Sequence, residues 1–301
     1  MIRKVIQSNP TTLVVTLPKK WTVKHNIHKG DEINILEDGN GNLILGSDSM
    51  PKPKTINITF QSSQKQYVQG IIRNLYMNGY DEIHCKYHGE EDIIYITSIL
   101  HYLIGFEIVD QNNDGCTIKI INQEKKEEYV SFLRKCFHNI NYMGSILQES
   151  LNNKPSQLTQ QKIEDLSWNV TKFSSYCRRI IIKFGLTQDY KYSVDYLLLT
   201  FLHMISHNFL YAYDFLLQRN LHPSVQNKKY IKEVIDSFQL LSELYYNKEV
   251  DVGALQTQVK ELIEDRKLMQ NNKSAPFIKY FSEIARIINP LITKIHARYL
   301  L

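Results

Sequence analysis

Arg3, Lys4, Lys19, Lys20, Lys24 and Lys29 fall within the first thirty residues, and no Asp or Glu accompanies them. Six cationic side chains on so short a stretch are suited to neutralising phosphates. The Thr11 and Thr12 hydroxyls, after Pro10, add donors for phosphate oxygens. Lys19 and Lys20 stand at the start of an expected helix, where free N–H groups also favour an anion. The next twenty residues reverse the sign, with Asp31, Glu32, Glu37, Asp38 and Asp48 and no base. One short segment thus has a cationic front and an anionic back. Residues 51–122 hold six bases and eight acids, so the rest of the formal net charge of +5 is spread thinly along residues 123–301.

Other candidate chemistry is weaker. His203 and His207 are four residues apart, a spacing that puts two imidazoles on one helix face and could serve zinc. No third ligand is evident, so a hydrogen-bonded interior pair is expected and no metal is assigned. Arg178, Arg179 and Lys183, beside Tyr176, read as a solvated helix face. The acids at 90–92 and 110–114 read as helix N-terminal charge and a hairpin turn. Cys85, Cys116, Cys136 and Cys177 form no CxxC pair and read as buried thiols of a reducing compartment. Neither a glycine-rich phosphate loop nor a nucleophile–base set is present. No enzyme and no cofactor are expected.

Three kinds of element must position these residues. In 1–50, an extended segment begins at Val5, is interrupted by Ser8-Asn9-Pro10, and resumes as the β-branched Leu13–Leu17. Pro18 then opens a helix over 19–26, Gly30-Asp31 breaks it, and Asp38-Gly39-Asn40-Gly41 joins a last pair of strands as a hairpin. These fifty residues offer too few apolar groups for a core of their own and call for a partner copy. Trp21 is expected to pack in that dimer. Pro51-Lys52-Pro53-Lys54 reads as a stiff linker. Residues 55–122 read as a small βαβαββ unit, with helices over 63–78 (capped by Ser62) and 90–104, stopped by Gly79 and Gly105. From about 124 on, apolar residues recur at helical spacing. Breaks at Pro155, Gly185, Pro223, Gly253 and Pro276 divide 123–301 into six helices of a bundle, the later five over 159–184, 189–220, 225–247, 252–271 and 276–299. The apolar run 196–213 holds His203, His207 and Asn208 near its middle, so it reads as a buried helix and not a membrane span. The N-terminus is charged and lacks an apolar h-region, so no signal peptide is expected, and a cytoplasmic protein without membrane insertion is expected.

The string RKV…TTLVVTLPKKWTVKHNIHKGDEINILEDGNGNLIL, over Arg3–Leu45, resembles the AbrB-type (SpoVT/AbrB) swapped-hairpin DNA-binding domain, in particular the copy that opens archaeal PhoU-like regulators. The strand ending in Leu17-Pro18, the Lys19-Lys20-Trp21 helix start, the Lys29-Gly30-Asp31-Glu32 turn and the Asp38-Gly39 hairpin carry the likeness. Residues 55–121, with GYDEI at 79–83 and LIGFEIV at 103–109, are similar to the middle segment of the same proteins, and the bundle resembles PhoU. The fold class implied is α+β multidomain: a swapped-hairpin module over 1–50, a small α+β domain over 55–122 and an all-α PhoU-like bundle over 123–301. The resemblance implies an obligate homodimer that binds double-stranded DNA through Arg3, Lys4, Thr11, Thr12, Lys19, Lys20 and Lys24. It implies a transcriptional regulator linked to phosphate homeostasis, with the bundle as sensor or docking site for a protein partner. The alternative is an adaptor whose front module only dimerises and whose bundle docks on a transporter or signalling protein. PhoU proteins carry acidic metal-cluster motifs on their helices. This chain has Trp168-Asn169-Val170-Thr171 and His203-Met204-Ile205-Ser206-His207 in their place.

Overall fold

Pro18 fixes where the first helix of the chain starts. Its φ of −65° and ψ of 128° place it as the extended residue ahead of α1, Lys19–Lys24. The computed structural model describes residues 2–37, 43–47, 53–122, 124–247, 249–265 and 275–300, and the chain divides into two units, Met1–Pro53 and Lys54–Leu301. In the first unit, β1 (Val5–Asn9) and β2 (Thr12–Val15) form an antiparallel hairpin with Val5 opposite Val15. Asn9 holds its turn, the Oδ1 accepting the Thr11 N–H at 3.0 Å and the Thr11 hydroxyl at 3.1 Å. After α1, β3 (Ile33–Glu37) pairs antiparallel with β4 (Leu43–Ser47) as a separate two-stranded sheet. The Asp38–Gly41 turn and Pro51-Lys52 lie outside the described residues.

The second unit begins with the βαβαββ segment. Strands β5 (Thr55–Thr59), β6 (Glu82–Lys86), β7 (Phe106–Gln111) and β8 (Gly115–Ile120) form one sheet in the order β5-β6-β8-β7, with β5 and β6 parallel and the other pairs antiparallel. The parallel pair requires a crossover, which α2 (Lys65–Met77) supplies. Ser62 caps less directly than expected: its Oγ accepts the Gln64 N–H at 3.2 Å, and the helix starts only at Lys65. Gly79 and Gly105 end the two helical stretches with φ of +76° and +82°, a conformation that favours glycine. The second helix, α3 (Asp92–Leu100), is shorter than the expected 90–104, because residues 101–105 form turns before Gly105. Asp92 is fully buried and its Oδ2 accepts the His88 and Gly89 N–H groups, at 2.6 and 3.1 Å.

Among the described residues six α-helices follow: α4 (Glu128–Ser150), α5 (Gln157–Lys183), α6 (Tyr190–Arg219), α7 (Val225–Tyr246), α8 (Val252–Glu264) and α9 (Ala275–Ala297). Side chains cap four of them: Ser156, Asp189, Ser224 and Asp251 each accept a backbone N–H of the first turn. The apolar run 196–213 lies within α6, which buries Leu198, Leu199, Leu202, Ile205 and Phe209. Among the described residues no helix is long and apolar enough to cross a membrane. All four cysteines are buried and free. One apolar core runs through this unit from Phe60 to Ile295.

Arg179 of α5 joins the α/β segment to the bundle. Its side chain is fully buried. Its Nε donates to the Glu124 carboxylate, its NH1 to the carbonyls of Tyr76 (2.9 Å) and Tyr80 (2.6 Å), and its NH2 to Asp81 Oδ1 (2.7 Å). The guanidinium also lies 5.0 Å from the Tyr76 ring centroid. Lys183, one turn on, donates to both oxygens of Asp81 at 2.8 Å. The solvated face expected of Arg178, Arg179 and Lys183 is thus overturned: Arg178 is 7% exposed, Arg179 is 0% exposed, and Lys183 is paired.

Burial by itself raises the Asp81 carboxyl. The Lys183 hydrogen bonds, the Lys54 N–H and the charges of Lys183 and Arg179 outweigh it and leave its proton affinity below the ordinary value. A carboxyl with a lowered folded pKa stabilises above its unfolded value, near 4, and loses that contribution as pH falls through the folded one. Urea titrations are expected to show stability dropping below about pH 4, and Asp81→Asn is expected to flatten that drop. An equal acid dependence in the variant would show that Asp81 does not contribute to it.

Candidate nucleic-acid interface

The register of the first hairpin decides which bases can act together. Val5 faces Val15, so Arg3 and Lys4 precede β1 at the end where β2 runs on through Leu17 and Pro18 into α1. Only four peptide units separate Val15 from Lys19, a reach of at most about 14 Å. Arg3, Lys4, Lys19 and Lys20 therefore share the open end of the hairpin, and Lys24 lies in the last turn of α1. Thr11 and Thr12 sit at the turn end, roughly 14 Å away along the strands. The register places Arg3 and Lys4 at one end of the hairpin, with Lys19 and Lys20 shortly beyond it in the chain, and the two threonines at the other end.

All seven side chains belong to exposed residues. The ion pair found among the described residues of this unit is His28–Asp31, at 3.8 Å. The five bases have no carboxylate partner there, which leaves their charge available to an outside anion. Thr11 has both donors turned onto Asn9, so it shapes the turn. Among the described residues the Thr12 hydroxyl makes no hydrogen bond, and the residue is exposed. Helix α1 has six residues, too short for a large end charge, so the lysine side chains themselves supply the field. Lys19, Lys20, Val23 and Lys24 line a shallow concavity of about 360 Å³. Trp21 is half-buried and lies on the His25 ring, with centroids 4.9 Å apart.

The apolar groups of this unit are as informative as the bases. Leu13 is 68% exposed, Val15 54% and Val23 70%, and none of the described residues before Phe60 is buried. A stable fold does not leave most of its apolar side chains in water.

Residues 6–57 match the family model described as antidote-toxin recognition MazE, bacterial antitoxin. The first unit is therefore similar to a MazE-type antitoxin domain. The match reaches none of the helical bundle. No curated protein and no solved structure matches the chain.

The histidine pair of α6 is hydrogen-bonded. His203 Nδ1 is 3.1 Å from Thr171 Oγ1, and His207 Nδ1 is 3.1 Å from the His203 carbonyl and 3.4 Å from Ser167 Oγ. Trp168 stacks on Tyr102 at 4.2 Å. Arg73 and Arg178 lie beside this pair and repel a cation. Among the described residues no group of three or more His, Cys, Asp or Glu side chains could hold a metal. The described residues therefore do not offer the donor set of a PhoU-type metal cluster. Sequence reasoning did not single out Arg73, and it misread Arg178 and Arg179. The available signal was their setting: Ser174, Ser175 and Cys177 before them and Ile180-Ile181-Ile182 after them form a core-like run.

Proposed function

We propose that the protein is a homodimeric DNA-binding transcriptional regulator. Two copies of the first unit would bury each other's apolar side chains and present two sets of Arg3, Lys4, Lys19, Lys20 and Lys24 to the phosphates of a duplex. The observation that carries this reading is the five exposed bases, without a carboxylate partner among the described residues, on a module in which none of the residues whose burial is described is buried. The bundle serves as sensor or as docking site for a protein partner. The link to phosphate homeostasis rests on the sequence resemblance of the bundle to PhoU.

A second reading follows from the matched family, whose description names recognition of a toxin. On that reading the module dimerises and the chain acts by binding a protein, as an antitoxin or an adaptor. An electrophoretic shift with the chain's own upstream region and with random duplex DNA separates the two. Preference for the upstream region is expected, and absence of any shift at low salt favours the protein-binding reading.

Dimerisation has its own test. Leu13→Asp puts a charge into the surface that a second copy must cover. Sedimentation is expected to show the wild-type chain as a dimer and the variant as a monomer with at least about tenfold weaker DNA binding. A wild-type monomer at micromolar concentration would refute the paired arrangement.

A further inference from the structure

Three of the arginines in the second unit have largely buried guanidiniums or lie almost wholly inside it, and they are not treated alike. Arg179 has Asp81 and Glu124, and Arg298 has Asp195 at 3.4 Å. Arg178 has no carboxylate among the described residues. Its Nε donates to the Ser174 carbonyl at 3.4 Å and its NH1 to Thr200 Oγ1 at 3.3 Å, both long contacts. A second cation approaches from α2: Arg73 NH1 stands 3.5 Å from His203 Nε2, again with no carboxylate among the described residues. Thr200 and His203 lie one turn apart on α6, and Thr171 and Ser174 lie on the α5 face that leads to Arg178. The cluster therefore collects two guanidiniums, an imidazole and hydroxyl groups where α2, α5 and α6 meet.

Such an arrangement is costly without a counter-charge. A buried charge without a counter-charge loses its hydration and gains little in return. Burial lowers the Arg178 pKa to about 10, and Arg73 adds to that effect. Burial, His207, Arg73 and Arg178 together push His203 down to about 2, so its ring is neutral. No carboxylate is among the groups that act on Arg73, Arg178 or His203. Two fixed positive charges call for a dianion, which a single carboxylate would not match. Arg73, Thr200 and His203 are half-buried, and Arg178 is 7% exposed.

We propose that the junction of α2, α5 and α6 is a binding site for a small tetrahedral oxyanion, a free phosphate or the phosphate group of a small monoester, held by Arg73 and Arg178 with Thr200 and His203 at its edge. Forked guanidinium donors suit tetrahedral oxygens, and charge-assisted hydrogen bonds are the strong ones. The site stands apart from the DNA-binding reading, and its test involves no DNA.

The test is calorimetric titration of the full chain with inorganic phosphate and, in a separate arm, with AMP, against chloride at equal ionic strength. One saturable site per chain is expected, with a rise in melting temperature beyond that in chloride. Arg178→Met and the rim variant Arg73→Met should each weaken binding roughly tenfold or more. Arg134→Met, an exposed arginine elsewhere on the bundle, should bind as wild type. Circular dichroism of the unliganded variants shows whether each has folded, and Arg73→Met, at the half-buried rim, serves if Arg178→Met has not. Binding of phosphate assigns the free ion, and binding of AMP alone assigns a monoester. The proposal is overturned if neither ligand binds saturably to the wild type, or if the folded Arg73→Met chain binds as tightly as the Arg134→Met control.

Discussion

Arg179→Met is expected to destabilise the second unit by about 3–5 kcal/mol, the range for removing one partner of a buried charge network. The size follows from what would be left behind. Asp81 and Glu124 would both lose a cation, and the Tyr76 and Tyr80 carbonyls would lose a donor. The guanidinium itself is fully buried, so water cannot take its place without opening the core. Lys183→Met should cost less, about 1–2 kcal/mol, because Asp81 keeps Arg179 and the Lys183 side chain is 23% exposed. Urea unfolding at pH 7 measures both. A loss below about 1 kcal/mol for Arg179→Met would mean that the network does not tie the sheet segment to the bundle.

The second large effect concerns the first unit. Replacing Lys19 and Lys20 together with alanine is expected to weaken duplex binding by about tenfold or more near 0.1 M salt. The more diagnostic change is in salt dependence. Each phosphate neutralised contributes about 0.9 to the slope of log affinity against log salt, so losing two contacts should flatten the slope by about 1.8 per copy. Both side chains are exposed and without a carboxylate partner among the described residues, so the fold should tolerate their removal. Lys260, exposed and paired with Glu264 at 3.9 Å on α8, gives the control: Lys260→Ala should leave the slope unchanged. An unchanged slope in the double variant would remove Lys19 and Lys20 from the interface.

How much of this was readable beforehand differs between the two units. The bundle helices were legible because their ends carry local signals. Ser156 and Ser224 follow Pro155 and Pro223 directly, and each caps a helix within two residues of the expected start. The βαβαββ order was legible for the same reason, with Gly79 and Gly105 as stops. The strand order β5-β6-β8-β7 was not, because pairing between distant strands leaves no mark in local composition. Arg178 and Arg179 were misread because charge suggests solvent, while their partners Thr200, Asp81 and Glu124 are distant in sequence. In the first unit the basic cluster was plain from composition. Its division into an open-end group and a threonine tip required the Val5–Val15 register.

Fluorescence anisotropy of the full chain with a duplex from its own upstream region, over a series of salt concentrations, tests the DNA-binding reading most directly. The expected result is tight binding at low salt, with log affinity falling linearly against log salt at a slope of magnitude about 4 or more. No binding at the lowest salt, or a slope near zero, would contradict it and leave the first unit as a dimerisation element.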